Sequence, residues 1–203
     1  MSTDKLITEL TDTSSADADH LQGLHARLAV AAQRAGVLDV TYRTIDSPVG
    51  PLLLAATDQG LVRVAYESEN HDAVLQSLAD RISPRVLAAA DRMDLAAREL
   101  DEYFAGRRRR FDLPLDWRLA TGFRRAVLGT LASGIDYGHT ASYAAVASLA
   151  GNPKAVRAVG TACATNPLPV VVPCHRVVRS DGSLGGYLGG VAAKQALLAL
   201  EAA

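Results

Sequence analysis

The chain has 203 residues, 49% of them hydrophobic and 21% charged, with a formal net charge of −1. This composition excludes full-length disorder, and at roughly 100–200 residues per domain the length allows one large domain or two small ones. No apolar run reaches the ~18 residues a membrane helix needs, and the acidic, polar start MSTDKLITELTDTSSADADH lacks the apolar stretch of a secretory signal, so no membrane association is expected.

Residues 1–19, rich in Ser, Thr and Asp, read as a mobile tail. Leu21, Leu24, Leu28 and Ala31–Ala32 then recur at helical spacing, predicting an amphipathic helix over 20–36 that Gly36 ends. From Val40 the pattern becomes strand-like. VTYRTI, PLLLAAT and LVRVAYE are joined by Asp46-Ser-Pro-Val-Gly-Pro and Asp58-Gln-Gly, so 40–67 reads as an antiparallel meander. Helices are expected over 71–82, with Val74, Leu75, Leu78 and Ile82 on one face, and over 94–105, ending at Gly106. FDLPLDW is an edge strand or an extended linker, because Pro114 cannot sit in a central strand.

After Trp117 the character changes to helices and tight turns. TGFRRAVLGTLASG reads as a helix capped by Thr121 and stopped by Gly134. TASYAAVASLA (140–150) reads as a second, and PKAVRAVGTACATN as a third that opens on Pro153. The tight glycine turn between the last two suggests a helix-turn-helix. LPVVVPCHRVV (168–178) is apolar, β-branched and twice broken by proline. A turn (RSDGS), a glycine-rich loop (GGYLGG) and a closing helix (VAAKQALLALE) follow. The expected fold is α+β: a mobile tail and helix (1–37), a small antiparallel-sheet domain with helices (38–117), and a mostly helical, winged-helix-like domain with a helix-turn-helix (118–203).

Charge follows the same division. Residues 1–106 carry 9 Lys and Arg against 17 Asp and Glu, a balance of −8, whereas residues 107–203 carry 12 against 5, a balance of +7. Either surface charge has segregated by chance, or the C-terminal half meets a polyanion. The run Arg107–Arg110 at the junction reads as a solvated charge cluster.

The chemistry concentrates at Pro173-Cys174-His175-Arg176. A cysteine after an apolar run is either an inert buried thiol or a nucleophile. Two cysteines, Cys163 and Cys174, are too few for a disulfide scaffold and suit a reducing cytoplasm. Neighbours on a strand point to opposite faces, so a Cys174–His175 partnership requires a turn or a bridging water. Glu201 is the only acid after Asp181 and is the candidate to orient His175. Asn166 is placed to brace the turn, to cap a helix, or to do both. Cys163, Cys174 and His175 lack metal-ligand spacing, as do His20 and His25, and GGYLGG does not follow a strand and open a helix in a βαβ unit, so neither a metal nor a cofactor is expected.

VVVPCHRVVRSDGSLGGYLGG, preceded by GNPKAVRAVGTACATNP, closely resembles the O6-alkylguanine-DNA alkyltransferase family, also called methylated-DNA–protein-cysteine methyltransferases. The resemblance runs from about Val40 to Glu201 and is dense from Tyr137. It implies that Cys174 accepts the alkyl group, that His175 takes the thiol proton through a water, that Glu201 orients His175, and that Asn166 braces the active-site turn. It implies that Arg157 enters the duplex where a guanine flips out, with Ala155, Val156 and Ala158 facing the minor groove. Tyr143 would promote flipping and donate to the departing guanine. Tyr187 would wall the base pocket, and Val177 and Leu188 would contact the base mainly through backbone groups. The loop ends here in Leu188-Gly189-Gly190, where many bacterial members carry Arg-Trp-Gly, a difference that bears on pocket width.

The implied partner is double-stranded DNA carrying O6-alkylguanine, with O4-alkylthymine a further candidate lesion, engaged by a monomer either singly or cooperatively along the DNA. A base edge stacked in B-DNA is out of reach of a buried thiol, so flipping is required. Two other classes compete: a cysteine hydrolase using Cys174, His175 and Glu201, and a lesion-binding module without chemistry. Stoichiometry separates the first from a transferase, and the presence of Cys174 disfavours the second.

Overall fold

The computed structural model describes residues 20–21, 23–24, 27–32, 34–89 and 93–202. The expected tail, 1–19, lies outside them. Within the expected first helix every described residue from 20 to 34 is helical, yet Leu21, Leu24, Leu28 and Val30 are exposed.

The meander forms as the β-rich runs and turn residues predict: β1 (Val40–Ile45), β2 (Leu52–Thr57) and β3 (Gly60–Tyr66) pair antiparallel in sequence order. A fourth strand, β4 (Val86–Ala88), was not legible in three residues of sequence. It adds parallel to β1, giving the order β3-β2-β1-β4. The sheet is covered on both sides, which is why β2 reads as an unbroken apolar run. Leu53 and Ala55 share a core with Val74 and Leu78 of α1 (His71–Arg81). Leu52 and Leu54 face the other way, into a core that holds Leu100 and Tyr103 of α2 (Asp94–Phe104) and continues through Leu128, Val146, Val172 and Leu197. One apolar core therefore runs from the sheet into the C-terminal helices.

The FDLPLDW segment is an extended linker touching β3 through one isolated bridge: the Leu61 amide donates to Pro114 O at 2.8 Å and the Asp116 amide to Leu61 O at 2.9 Å. Further along the same edge, the Val64 amide donates to Pro167 O at 2.8 Å. The edge of the sheet thus holds the segment that leads to Cys174.

In the C-terminal half, α3 spans Gly122–Gly134, α4 Tyr143–Leu149, α5 Val156–Ala164 and α6 Gly190–Glu201. Two boundaries differ from expectation. The helix expected over 140–150 begins only at Tyr143, because Ala141–Ser142 forms β5, paired parallel with β6 (Val177–Val178), and Ser142 caps α4 by accepting from the Ala145 amide at 3.1 Å. The third helix begins at Val156 rather than Pro153; residues 152–155 form a turn closed by the Ala155 amide on Asn152 O at 3.0 Å. In the apolar 168–178 stretch, 168–176 is a buried irregular turn, with Val170 at φ 70° and a 3-10 turn over Cys174–Arg176, and only Val177–Val178 is strand. Nor is the arginine run only solvated. Arg108 pairs with Glu102 (2.8 Å), Asp112 (3.1 Å) and Glu99 (3.4 Å), and the Arg109 guanidinium lies 5.5 Å from the Tyr137 ring centroid.

Candidate active site

Cys174 is 2% exposed and opens the 3-10 turn, so the turn that a Cys–His partnership requires is present. Asn166, fully buried beyond the end of α5, holds this turn from three sides. Its Nδ2 donates to Val172 O (2.9 Å) and to Cys174 Sγ (3.1 Å), while its Oδ1 accepts from the Leu168 amide (3.0 Å). Of the two roles open to Asn166 in the sequence, the geometry favours the brace.

Next in the chain, His175 is 0% exposed and its Nε2 lies 2.9 Å from Glu201 Oε1. A carboxylate on Nε2 places the ring proton there, leaving the Nδ1 lone pair as the basic position. Nδ1 is buried and makes no hydrogen bond with the described residues. Glu201, in the last turn of α6, is an unusually well-satisfied carboxylate. Oε1 accepts from Tyr103 OH (2.6 Å), His175 Nε2 (2.9 Å) and Arg176 Nη2 (2.9 Å); Oε2 accepts from Arg176 Nε (2.8 Å) and the Gly138 amide (3.3 Å). Gly138 permits that close approach: at φ +75°, a Cβ there would lie 2.9 Å from Glu201 O.

Electrostatics follow from this packing. Burial pushes the Cys174 thiol up to about 11, against the hydrogen bond from Asn166 and the field of Lys194, so the resting group is a thiol. Burial pulls His175 below its ordinary range, against the pull of Glu201, so the imidazole is neutral and able to take a proton. Burial alone would raise the Glu201 carboxyl, but the bonds from His175, Arg176 and Tyr103 hold it well below the usual carboxylate range. The resting set is therefore a neutral thiol bonded to Asn166 and a neutral imidazole bonded to an ionised carboxylate.

An open cleft of about 400 Å³ is lined by Tyr143, Ala144, Val156, Gly160, Arg179 and Gly185. Tyr143 is the first residue of α4 and packs against the glycine loop at Gly185. Val156, Arg157 and Ala158 are exposed at the start of α5, with Ala155 half-buried before them, while Val159, Ala162 and Cys163 bury the opposite face. The exposed start of α5 therefore adjoins the cleft. Tyr187 lies edge-on to His175, with ring centroids 6.3 Å apart. Val177 is fully buried, and its carbonyl accepts from Lys194 Nζ at 2.6 Å. Leu188 is not brought to the cleft; it lines a separate cavity of about 450 Å³ with Arg63, Arg124 and Pro167.

Four contributors escaped the sequence reading. Arg176 clamps Glu201 and also donates Nη1 to Ile135 O at 2.6 Å. Lys194 is fully buried and ties Val177 O to Leu184 O, fixing the loop to the strand after Cys174; a lone lysine in VAAKQALLALE was the available signal. Tyr103 reaches Glu201 from α2, and Tyr66, at the end of β3, places its OH 2.9 Å from Tyr187 OH. No local pattern marks either tyrosine. The Tyr66 ring also fills the space beside Gly189, where an added Cβ would lie 2.6 Å from the ring. This loop is therefore backed by the sheet. Among the described residues no group of three or more His, Cys, Asp or Glu is placed to hold a metal, and no helix is long and apolar enough to cross a membrane.

Comparison with known proteins agrees with this arrangement. Residues 122–203 match the family described as 6-O-methylguanine DNA methyltransferase, DNA binding domain, and residues 40–117 match the corresponding ribonuclease-like domain. The methylated-DNA–protein-cysteine methyltransferase of Mycolicibacterium paratuberculosis is 41% identical over 162 residues, which span 80% of this chain and 92% of that one. The crystal structure of Mycobacterium tuberculosis O6-methylguanine methyltransferase superposes with a TM-score of 0.69 at 39% identity, covering 80% of this chain and 93% of the other. A structure of OGT from the same organism in complex with DNA gives 0.68 at 39%, covering 80% and 92%. On these grounds the chain belongs to the O6-methylguanine-DNA methyltransferase, or methylated-DNA–protein-cysteine methyltransferase, family.

Proposed function

We propose that this protein repairs DNA by moving the alkyl group of O6-alkylguanine onto its own Cys174, once per molecule. The observation that carries the reading is the buried set Cys174, held by Asn166, and His175, next in the chain and paired with Glu201. Double-stranded DNA is the partner. The exposed start of α5 enters the minor groove, where small residues allow close approach and Arg157 occupies the gap left by the flipped base. Tyr143 borders the flipped guanine, and Tyr187 forms a wall of its pocket. Residues 118–203 carry DNA binding and transfer, and residues 38–117 buttress them.

In the chemical step the Cys174 proton passes to His175 Nδ1, with Glu201 stabilising the imidazolium. The sulfur attacks the alkyl carbon, the carbon–O6 bond breaks with its electron pair going to O6, and a thioether and the guanine anion form. Protonation of that anion, with Tyr143 the nearest donor in this reading, yields guanine. A thioether offers no leaving group for regeneration, so the reaction stops after one turnover. The free thiols Cys163 and Cys174 suit a reducing cytoplasm.

Titration of the protein with duplex bearing one labelled O6-methylguanine tests this reading. Label on protein reaching one equivalent and then stopping supports transfer; free methanol accumulating over many turnovers would instead establish a hydrolase.

A further inference from the structure

The Tyr103 ring sits on α2, in the sheet-bearing half, 98 residues before Glu201. It is fully buried and held by Phe104 (5.4 Å between centroids, edge-on), Phe111 (5.2 Å, tilted) and Tyr137 (6.1 Å, edge-on). Such a pocket would take a phenylalanine on packing grounds alone. The hydroxyl is instead aimed at the one carboxylate oxygen that also receives His175 Nε2. A donor at 2.6 Å on an ionised oxygen is a strong, charge-assisted bond.

We propose that Tyr103 is a positioning residue for alkyl transfer, its hydroxyl sharing Glu201 Oε1 with His175 and thereby setting how much of the carboxylate's charge the imidazole feels. The groups facing this pair are few. Tyr103 approaches from α2, and Arg176 from the 3-10 turn. The Gly138 amide, with Tyr137 beside it, approaches from the connection after α3, and Arg109 lies over the Tyr137 ring. Lys194 acts from α6, the Tyr187 ring stands edge-on to His175, and Cys174 precedes His175 in the turn. Of these, only Tyr103, Arg176 and the Gly138 amide donate to Glu201 besides His175 itself. Without the hydroxyl, Oε1 keeps two donors, more negative charge falls on Nε2–H, and His175 becomes more basic. A histidine already protonated cannot accept the thiol proton, so transfer fails at a higher pH. The sheet-bearing half thus contributes directly to the relay. The rate consequence rests on the alkyl-transfer reading; the charge-sharing consequence does not.

The test compares native protein, Tyr103→Phe, and Phe111→Leu, which loosens the same packing without removing a bond to Glu201. Single-turnover transfer to duplex O6-methylguanine is followed from acid to neutral pH, and the His175 Nε2–H resonance is recorded by NMR without DNA. In Tyr103→Phe the acid limb should move up by roughly half a unit to one unit. That makes transfer roughly 3- to 10-fold slower a unit below the native midpoint and leaves the plateau near native. The Nε2–H resonance should move downfield, and neither change should occur in Phe111→Leu. A Tyr103→Phe resonance at its native position, uniform slowing at every pH, or equal changes in both variants would overturn the proposal. Absence of transfer by the native protein would instead count against the alkyl-transfer reading, with the resonance still deciding the role of Tyr103.

Discussion

Asn166 and Cys174 stand eight residues apart, and the amide of the first donates directly to the sulfur of the second at 3.1 Å. The same amide also satisfies Val172 O, and its carbonyl takes the Leu168 amide. One side chain thereby fixes both the backbone of the turn and the position of the nucleophile. Asn166→Ala should leave the buried Leu168 amide unpaired, at a cost of about 1–3 kcal/mol, while Val172 O keeps only the Cys174 amide. Denaturant unfolding should show a loss of that order, and transfer should slow because the thiol is no longer held. A variant with native stability and native rate would exclude the brace.

Arg157→Ala should slow transfer from duplex DNA far more than transfer from free O6-benzylguanine, which needs no flipping. Arg157 is exposed on α5 and contributes nothing to the buried relay. Equal losses on both substrates would indicate a damaged pocket instead. Duplex affinity should also fall steeply as salt rises, as phosphate neutralisation requires.

The arrangement of Asn166, Cys174 and His175 also shows what could be read from residues alone. β-rich runs and turn chemistry predicted β1–β3, and 3.6-residue spacing predicted α1, because each signal is local. β4 has three residues and depends on β1 for its pairing, so no local pattern marks it. β5 likewise exists only because β6 lies beside it, which is why the helix after His139 was expected to begin too early. Cys174, His175, Asn166 and Glu201 were legible because their residue types are chemically distinctive. Tyr103, Tyr66 and Arg176 act through contacts as distant as 121 residues and carry no such mark.

Stability should fall with acid in two stages. Burial depresses the pKa of His175, so below about 6.5 the unfolded chain binds a proton that the folded site refuses, and stability is lost as pH drops from there toward the folded value. Glu201 is also depressed on balance, so its contribution is intact above about 4.3 and is lost as pH falls further. Thermal midpoints measured from pH 8 downward should decline first through the histidine range. His175→Gln should flatten that first decline, and an unchanged slope would place its origin elsewhere.

Alkylated protein should be less stable than free protein. The Cys174 sulfur is buried against Asn166, and overpacking a core typically costs about 1–3 kcal/mol. The thioether also removes the proton that His175 would accept. Thermal unfolding of free, methylated and benzylated protein tests this. Midpoints that stay level or rise would show a site already shaped for the product.

The central claim, that Cys174 is the acceptor, is tested most directly by intact mass and peptide mapping after reaction with a duplex containing one O6-methylguanine. Native protein should gain a single methyl in place of a proton, confined to the peptide carrying Cys174. Cys163→Ala should do the same, since Cys163 is a packed residue on the buried face of α5. Cys174→Ala should gain none while still binding the duplex. A methyl found on Cys163, or anywhere in the Cys174→Ala protein, would contradict the account.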